Sequence, residues 1–486
     1  MSWSQRREAS LALYARIRRP VAAFCAILPL LSAIPARAQD VPALFSDTEV
    51  EQDLRVFCTP IWIAAGLNPD DVHLVLVNSD DLQAFVAGGQ NIFIYTGLLM
   101  KTDNPLQIAG VVAHETGHIA GGHIVRSDAD MENASYTMLL ATLLGAAAAA
   151  GARDPGGAMA AMGIGEDMGI RSYLAFSRVK EASADEAGMT YLEKAGLSPV
   201  GLVEFMKKIE VEEGVPLQGD QKYLVDHPPT PERVEALMQG VKRSHYADAR
   251  VPAEWNELYA RLKAKLIGYL KPDYALKKYS RADTTIAGRY GRSVALWRLG
   301  QIEPALVLAN DLIAAEPNNP YFYQLKAQML FESGRVAESI PAFQKAAALA
   351  PKGTDEIHTE YAQALLERED KSVIPTAIAE LNIALKIEPR SPDTHRFLAI
   401  AYGREGNEAM SKLELAEQAV LEGRIKTGRH LAEDAMHLLK AGSRDWLRAQ
   451  DLVATSMPAK HDDDGSGLRG GSGIQFSAGP IDPAKR

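Results

Sequence analysis

Cysteine is nearly missing from this chain. Its 486 residues hold two, Cys25 and Cys58, and the first lies in an N-terminal stretch that reads as removable. A mature chain then keeps Cys58 alone and makes no internal disulfide, so the compartment must be read from the leader and not from thiols. Surplus positive charge is missing too. The formal charge is −10, and the first 38 residues carry six arginines and one glutamate, so without them the remainder stands at −15. Such an acidic body excludes a nucleic-acid backbone as partner. Long hydrophobic runs are scarce. The longest uncharged stretch after the leader, Ala134 to Ala152, is mostly alanine, glycine, serine and threonine, with four leucines and one methionine supplying its hydrophobicity. It reads, with the glycine- and methionine-rich stretch Gly156 to Gly169, as a mobile cover over a cleft that makes peripheral membrane contact, not as a span.

What is present fits a globular protein: 47% hydrophobic and 23% charged residues, with length for about three domains at roughly 150 residues each. Arg6, Arg7, Arg16, Arg18 and Arg19 precede an apolar run from Val21 to Ile34, and Ala36-Arg37-Ala38 supplies small residues before a cleavage point at Gln39. The apolar run falls short of the ~20 residues a membrane span needs. Residues 1–38 are therefore expected to be a signal peptide for export to a bacterial periplasm. At the other end, 456–486 is rich in Asp, Gly and Ser and is expected to be a disordered tail.

Fixed offsets mark a repeat region. Gly300 and Gly334 stand one period apart, as do Pro317 and Pro351, and Pro389 and Gly406 follow after a slightly longer period that absorbs the polar insert at Glu369 to Ser372. One helix-turn-helix unit per period accounts for the spacing. Small residues at the crossings (Ala305, Ala327, Ala346, Ala399) and large ones nearby (Tyr323, Phe343, Phe397, Tyr402) complete a likeness to tetratricopeptide repeats, about four of them over 286–425 with further helices to 455. The domain plan is a mixed region at 39–250, linker helices at 251–283 and a helical repeat domain at 284–455.

Asp71 to Asn78 and Asn91 to Tyr95 alternate like strands, with Gly88-Gly89 as the turn ahead of the second. The second strand, through Asn91, Ile92, Phe93 and Ile94, is the candidate edge on which an extended substrate would pair. A helix is then predicted from Ile108 to Ile124, starting after Asn104-Pro105, and it contains His114-Glu115-Thr116-Gly117-His118. Histidines four apart share a helix face and reach one ion, with Glu115 beside the open coordination position. Val111, Val112, Ala113, Ile119 and Ala120 make this a buried helix, where an unpaired Glu would be costly without a cation.

A catalytic zinc site needs a third protein ligand. Ile124 occupies the position where one protease class places a third histidine, and His123 misses it by one, which removes that class. Glu181, on a second helix running through Arg178 to Gly188, is the alternative; Asp185 shares its face and is placed to accept a hydrogen bond from a ligand imidazole, while Glu186 points elsewhere. His227 lies in Asp226-His227-Pro228-Pro229-Thr230, a proline-rich turn ahead of a helix. Arg233, one turn into the helix that follows, is expected to be an exposed helix arginine, with electrostatic support of the site as the alternative, and His123 a hydrogen-bonded structural residue.

The run GGQNIFIYTGLL, then HETGH, then EASAD resembles the HtpX-like and CAAX-prenyl-protease-like zinc metallopeptidases, and with a leader ahead and repeats behind it is similar to their periplasmic β-barrel assembly-enhancing type. The resemblance implies an α+β, mainly helical fold: a gluzincin-type metalloprotease domain with a small sheet, followed by a tetratricopeptide α-solenoid. It implies one Zn2+ per chain on His114, His118 and Glu181, with Glu115 as general base, Asp185 supporting a ligand, and His227, at a position where the family has a histidine, either steadying the transition state or holding the site latent, a plain turn histidine being the other reading. It also implies endopeptidase action on unfolded or misassembled outer-membrane proteins and association with their assembly machinery through the repeats. A second reading makes the repeats the working part of a chaperone or scaffold with a latent or structural zinc site. Glu115 favours catalysis, because a structural site needs no base.

Overall fold

The computed structural model describes residues 43–87, 89–123, 178–213, 227 and 230–455. The expected leader (1–38), the two cover stretches (134–152 and 156–169) and the tail (456–486) lie outside them. The described part is mainly helical with one small sheet.

The sheet has the order β1-β2-β4-β3, from β1 (Ala43–Phe45), β2 (His73–Asn78), β3 (Ala84–Ala87) and β4 (Asn91–Tyr95). Strand β4 runs parallel to β2, from His73 opposite Asn91 to Val77 opposite Tyr95, and antiparallel to β3, from Ala84 opposite Ile94 to Ala87 opposite Asn91. Asn91, Ile92, Phe93 and Ile94 are therefore internal, and the expectation that they form the substrate edge is wrong. Alternation in NIFIY reports which side chains are buried, Ile92 and Ile94, but both backbone flanks are already paired. The edge next to β4 is β3, a short strand that its sequence did not announce, turned back through Gly89 at φ 101°.

Helix α1 (Thr48–Ala64) packs Val50, Leu54, Phe57 and Ile61 into the same core as Leu74 and Leu76 of β2, Ile92 and Ile94 of β4, and Ile108, Val111 and Val112 of the motif helix. A short helix α2 (Thr96–Lys101) links β4 to that motif helix, α3 (Pro105–Ala120). Asn104 caps α3 by accepting from the Gln107 N–H at 3.1 Å, and Pro105 takes the first helical position, where its missing N–H costs nothing. The helix stops at Ala120, four residues short of the expected end, at the Gly121-Gly122 pair, where Gly122 has φ 61°. Beyond it lie α4 (helical over 178–195), α5 (Val200–Glu213) and α6 (Pro231–Arg243).

Helices α7 (Ala253–Leu270) and α8 (Pro272–Lys278) lead into helix pairs: Ile286–Arg298 with Ile302–Ala315, Pro320–Glu332 with Val336–Leu349, Asp355–Leu366 with Ile374–Ile387, and Pro392–Glu405 with Glu408–Leu421. A further pair, Ile425–Leu438 and Arg444–Thr455, follows. Gly300, Gly334 and Gly406 turn three of these pairs with φ of 72°, 78° and 91°. In the remaining one the polar insert adds a short 3-10 turn at Lys371–Val373. Ala305, Ala327, Ala346 and Ala399 are buried at the crossings, as are Phe343 and Phe397. Among the described residues, no helix is long and apolar enough to cross a membrane.

Helix α1 also reaches into the repeats. The Thr48 N–H donates to Glu356 Oε2 at 3.0 Å, and Gln52 Nε2 donates to the Gly353 carbonyl at 3.0 Å. Partly buried Lys265 of α7 bridges Asp47 at 2.7 Å and Glu49 at 2.8 Å, and the Tyr290 hydroxyl donates to Glu49.

Candidate metal centre

Helices α3 and α4 cross through small residues. A Cβ on Gly117 would stand 2.7 Å from the Ala184 carbonyl oxygen, and one on Gly188 would stand 3.1 Å from the His114 nitrogen. Only hydrogen fits at Gly117 and a methyl group would be tight at Gly188, and the close approach brings Glu181 of α4 up to the histidines of α3.

Four donor groups meet there. His114 Nε2 and His118 Nε2 are 3.2 Å apart, and Glu181 presents Oε2 to the first at 3.4 Å and Oε1 to the second at 3.3 Å. His227 Nδ1 lies 3.0 Å from Glu181 Oε2 and 3.3 Å from His114 Nε2. The donor atoms of His114, His118, Glu181 and His227 all fall within 4.8 Å of one another, and all four residues are buried. The residues fit a metal. Imidazole nitrogens packed this closely cannot all carry protons between them, and among the described residues both carboxylate oxygens of buried Glu115 lack a hydrogen-bond partner, with His227 Nε2 standing 3.8 Å from Oε1.

A supporting layer orients the donors. His114 Nδ1 lies 2.9 Å from Asp185 Oδ1, at hydrogen-bond distance although off the best line for its N–H, which leaves Nε2 facing the centre. His118 Nδ1 lies 3.1 Å from His123 Nδ1, so His123 supports a donor, as a structural histidine should. Arg233 is not the exposed helix arginine favoured from the sequence but takes the alternative place, against the site. It is 6% exposed, donates to Asp185 at 2.7 and 2.9 Å, and pairs with Glu181 at 2.9 Å. Thr230 caps α6 and places Arg233 in its first turn; a capped helix start just after His227 was the available signal. Glu186 is exposed, as expected.

Electrostatics follow from burial and pairing. Burial would drive the His114 imidazolium down, but the Asp185 and Glu181 carboxylates outweigh it and lift the ring to about 10. Burial takes His118 down to about 4 against the opposing pull of Glu181. Burial would raise Glu181, yet the three imidazoles on it hold it far below the usual carboxylate range. Asp185 is likewise raised by burial but held low by Arg233 and His114. Glu115 has burial as its largest influence and goes up. Cation binding to these imidazoles therefore displaces a proton from His114.

Comparison with known proteins places the centre in a family. Residues 49–241 match the model of Peptidase family M48. A Beta-barrel assembly-enhancing protease of Yersinia pestis is 25% identical over 399 residues, covering 77% of each chain, and that of Escherichia coli (strain K12) is 24% identical over 391 residues, covering 77% of this chain and 76% of the other. Metalloprotease LoiP of the same strain is 29% identical over 210 residues, 43% of this chain and 77% of LoiP. Among solved structures, YrrB, a TPR protein with an unusual peptide-binding site, covers 36% of this chain at 13% identity with a TM-score of 0.30. Every residue that meets at the metal centre falls within the matched span, so the chain carries a Peptidase family M48 domain and is a metalloprotease.

Proposed function

We propose that this chain is a periplasmic zinc endopeptidase that removes unfolded or misassembled outer-membrane proteins, with its repeats engaging those substrates and their assembly machinery. The observation that carries the reading is the four-donor cluster beside the buried Glu115 carboxylate, which has no hydrogen-bond partner among the described residues. His114, His118 and Glu181 would hold one zinc ion, whose catalytic sites favour three nitrogen and oxygen ligands of this kind. When bound, the ion supplies Lewis acidity, polarising a peptide carbonyl and bringing the acidity of water close to neutral pH. Glu115 accepts the proton of the attacking water and passes it to the leaving amide nitrogen. Its burial strengthens it as a base, because the charged carboxylate lacks solvation. Asp185 holds His114 by Nδ1, and Arg233 keeps both Asp185 and Glu181 ionised and in place.

His227 is assigned a regulatory role. Its Nδ1 already rests on Glu181, so it competes for the coordination position that a substrate carbonyl needs and must withdraw for turnover. Strand β3, at the sheet edge and packed against α3, takes over from β4 as the rail for an extended substrate.

The test is degradation of casein by purified mature chain, with and without chelator, alongside Glu115→Gln. Zinc-dependent cleavage that the substitution abolishes is expected. Full zinc occupancy with no cleavage of any unfolded substrate, while aggregation is still suppressed, would leave the chaperone reading in its place.

A further inference from the structure

Away from the metal centre, a groove of about 580 Å³ lies where the start of α1 and helix α7 meet the repeats. Its repeat wall comes mainly from the first helices of three successive pairs, Ile286–Arg298, Pro320–Glu332 and Asp355–Leu366. Trp297 and Phe331 give that wall an aromatic surface, and Phe45 and Tyr269, in edge contact at 5.9 Å, continue it from the protease half. Lining spread over three stacked units suits an extended occupant more than a compact one.

The charge of the lining is one-sided. Five carboxylates border the groove, those of Asp47, Glu332, Glu356, Glu360 and Glu367, against one ammonium, that of Lys265, which already bridges Asp47 and Glu49. No arginine lines it; Arg298 stacks over the Tyr269 ring at 4.3 Å from outside the lining. Glu332, Glu356, Glu360 and Glu367 form no ion pair among the described residues. Glu356 accepts from the Thr48 N–H, and Glu360 accepts from the amides of Gln324 at 2.8 Å and Gln328 at 2.6 Å. These neutral donors hold the two head groups in place without cancelling their charge. Both residues are partly exposed, and Glu332 and Glu367 are fully so. Burial and the neighbouring Glu356 push Glu360 up to about 8, as befits a carboxyl without a counter-charge, and an arriving cation takes the place of that proton.

A bare divalent ion does not fit this layout. It needs several oxygens around one point, and among the described residues only the metal centre gathers three or more such donors within 4.8 Å. Cations on flexible stems, spaced along a chain with apolar side chains between them, match both the carboxylates and the aromatic surface.

We propose that this groove docks an extended polypeptide segment carrying lysine or arginine beside apolar residues, the cations meeting Glu356 and Glu360 and the apolar side chains lying on Phe45 and Phe331. It deepens the proposed function, on which the choice of an unfolded polypeptide rests, by naming what the repeats select.

The experiment uses the full chain with Glu115→Gln, so that bound peptide survives, at physiological ionic strength. Fluorescence anisotropy compares a labelled unstructured peptide of lysine, leucine and serine with the same peptide bearing acetyl-lysine, and with one in which serine replaces leucine. The lysine form binds about tenfold more tightly than the acetylated one, and loss of leucine weakens it. Glu356→Gln with Glu360→Gln erases the lysine preference. Glu332→Gln with Glu367→Gln, at exposed positions where folding is not at stake, reduces it. Glu369→Gln with Glu405→Gln, two exposed acids outside the groove, leaves it intact, which separates docking from the general attraction of an acidic chain. Equal binding of the lysine and acetyl-lysine forms, no binding of either, or a preference that survives both groove pairs or is lost with the outside pair overturns the proposal. So does displacement of the peptide by spermidine together with indifference to leucine, which would make the groove a polyamine site. Casein cleavage by the unaltered chain reports the metal centre separately. If the lysine preference holds while that chain never cleaves casein, the enzyme reading fails and the groove stands; cleavage without the preference removes the groove alone.

Discussion

Replacing Gly117 by alanine adds one methyl group at the crossing of the two ligand-bearing helices. That methyl would sit 2.7 Å from the Ala184 carbonyl oxygen and 2.9 Å from the Ala184 Cα. Ordinary contact begins near 3.4 Å, so the backbones must part by roughly 0.7 Å. Metal sites tolerate about 0.2 Å in ligand distance, and Glu181 rides on the helix that moves. Overpacking of this kind costs about 1–3 kcal/mol, while alanine in place of glycine returns up to about 1 kcal/mol of helix propensity, so the clash prevails. Zinc affinity, measured by competition with a chromogenic chelator, is expected to fall about tenfold or more. Urea unfolding of the metal-free chain should show the smaller loss of stability. Gly188→Ala, with its nearest contacts at 3.1 Å, gives a milder version of both effects. If Gly117→Ala keeps zinc affinity within about twofold and its stability rises, the close crossing is not what sets the site.

Three further outcomes are expected. Asp185→Asn removes the carboxylate that orients His114 and lowers metal affinity about 10–100-fold with little change in fold, as circular dichroism and metal titration will show. Lys265→Met leaves Asp47 and Glu49 without their shared cation and costs about 3–5 kcal/mol in denaturant unfolding; a loss of less than about 1 kcal/mol would refute that bridge. In the repeats, buried His395 pairs with Glu414 at 2.6 Å; burial pulls its imidazolium down, but Glu414 wins and raises it. A raised folded value means the stabilisation is fully present below the ordinary 6.5 and is lost as pH climbs through the folded value, so the stability gap between wild type and His395→Gln must shrink from mildly acidic to alkaline buffer.

The side chains that α3 and α4 bring together were legible because each motif is a local spacing: four residues set two imidazoles on one helical face, and four more set Glu181 with Asp185. The repeats were legible for the same reason, through glycines that take positive φ. Facts decided by strand pairing or by distant packing were not. Alternation marks NIFIY as a strand without naming its neighbours, so its interior position between β2 and β3 had to come from the structure. Arg233 looks like any exposed helix arginine until Asp185 and Glu181, on another helix, are brought against it.

Helix α1 belongs to two halves at once: its apolar stripe lies behind the motif helix, while Thr48 and Gln52 are fastened to the loop and helix at Gly353 and Glu356. The solenoid is consequently no detachable adaptor. Any load on the repeats passes along that helix to the scaffold behind the metal-centre histidines, and pruning the repeats would strip the helix of the tyrosine and glutamate that anchor its first turn.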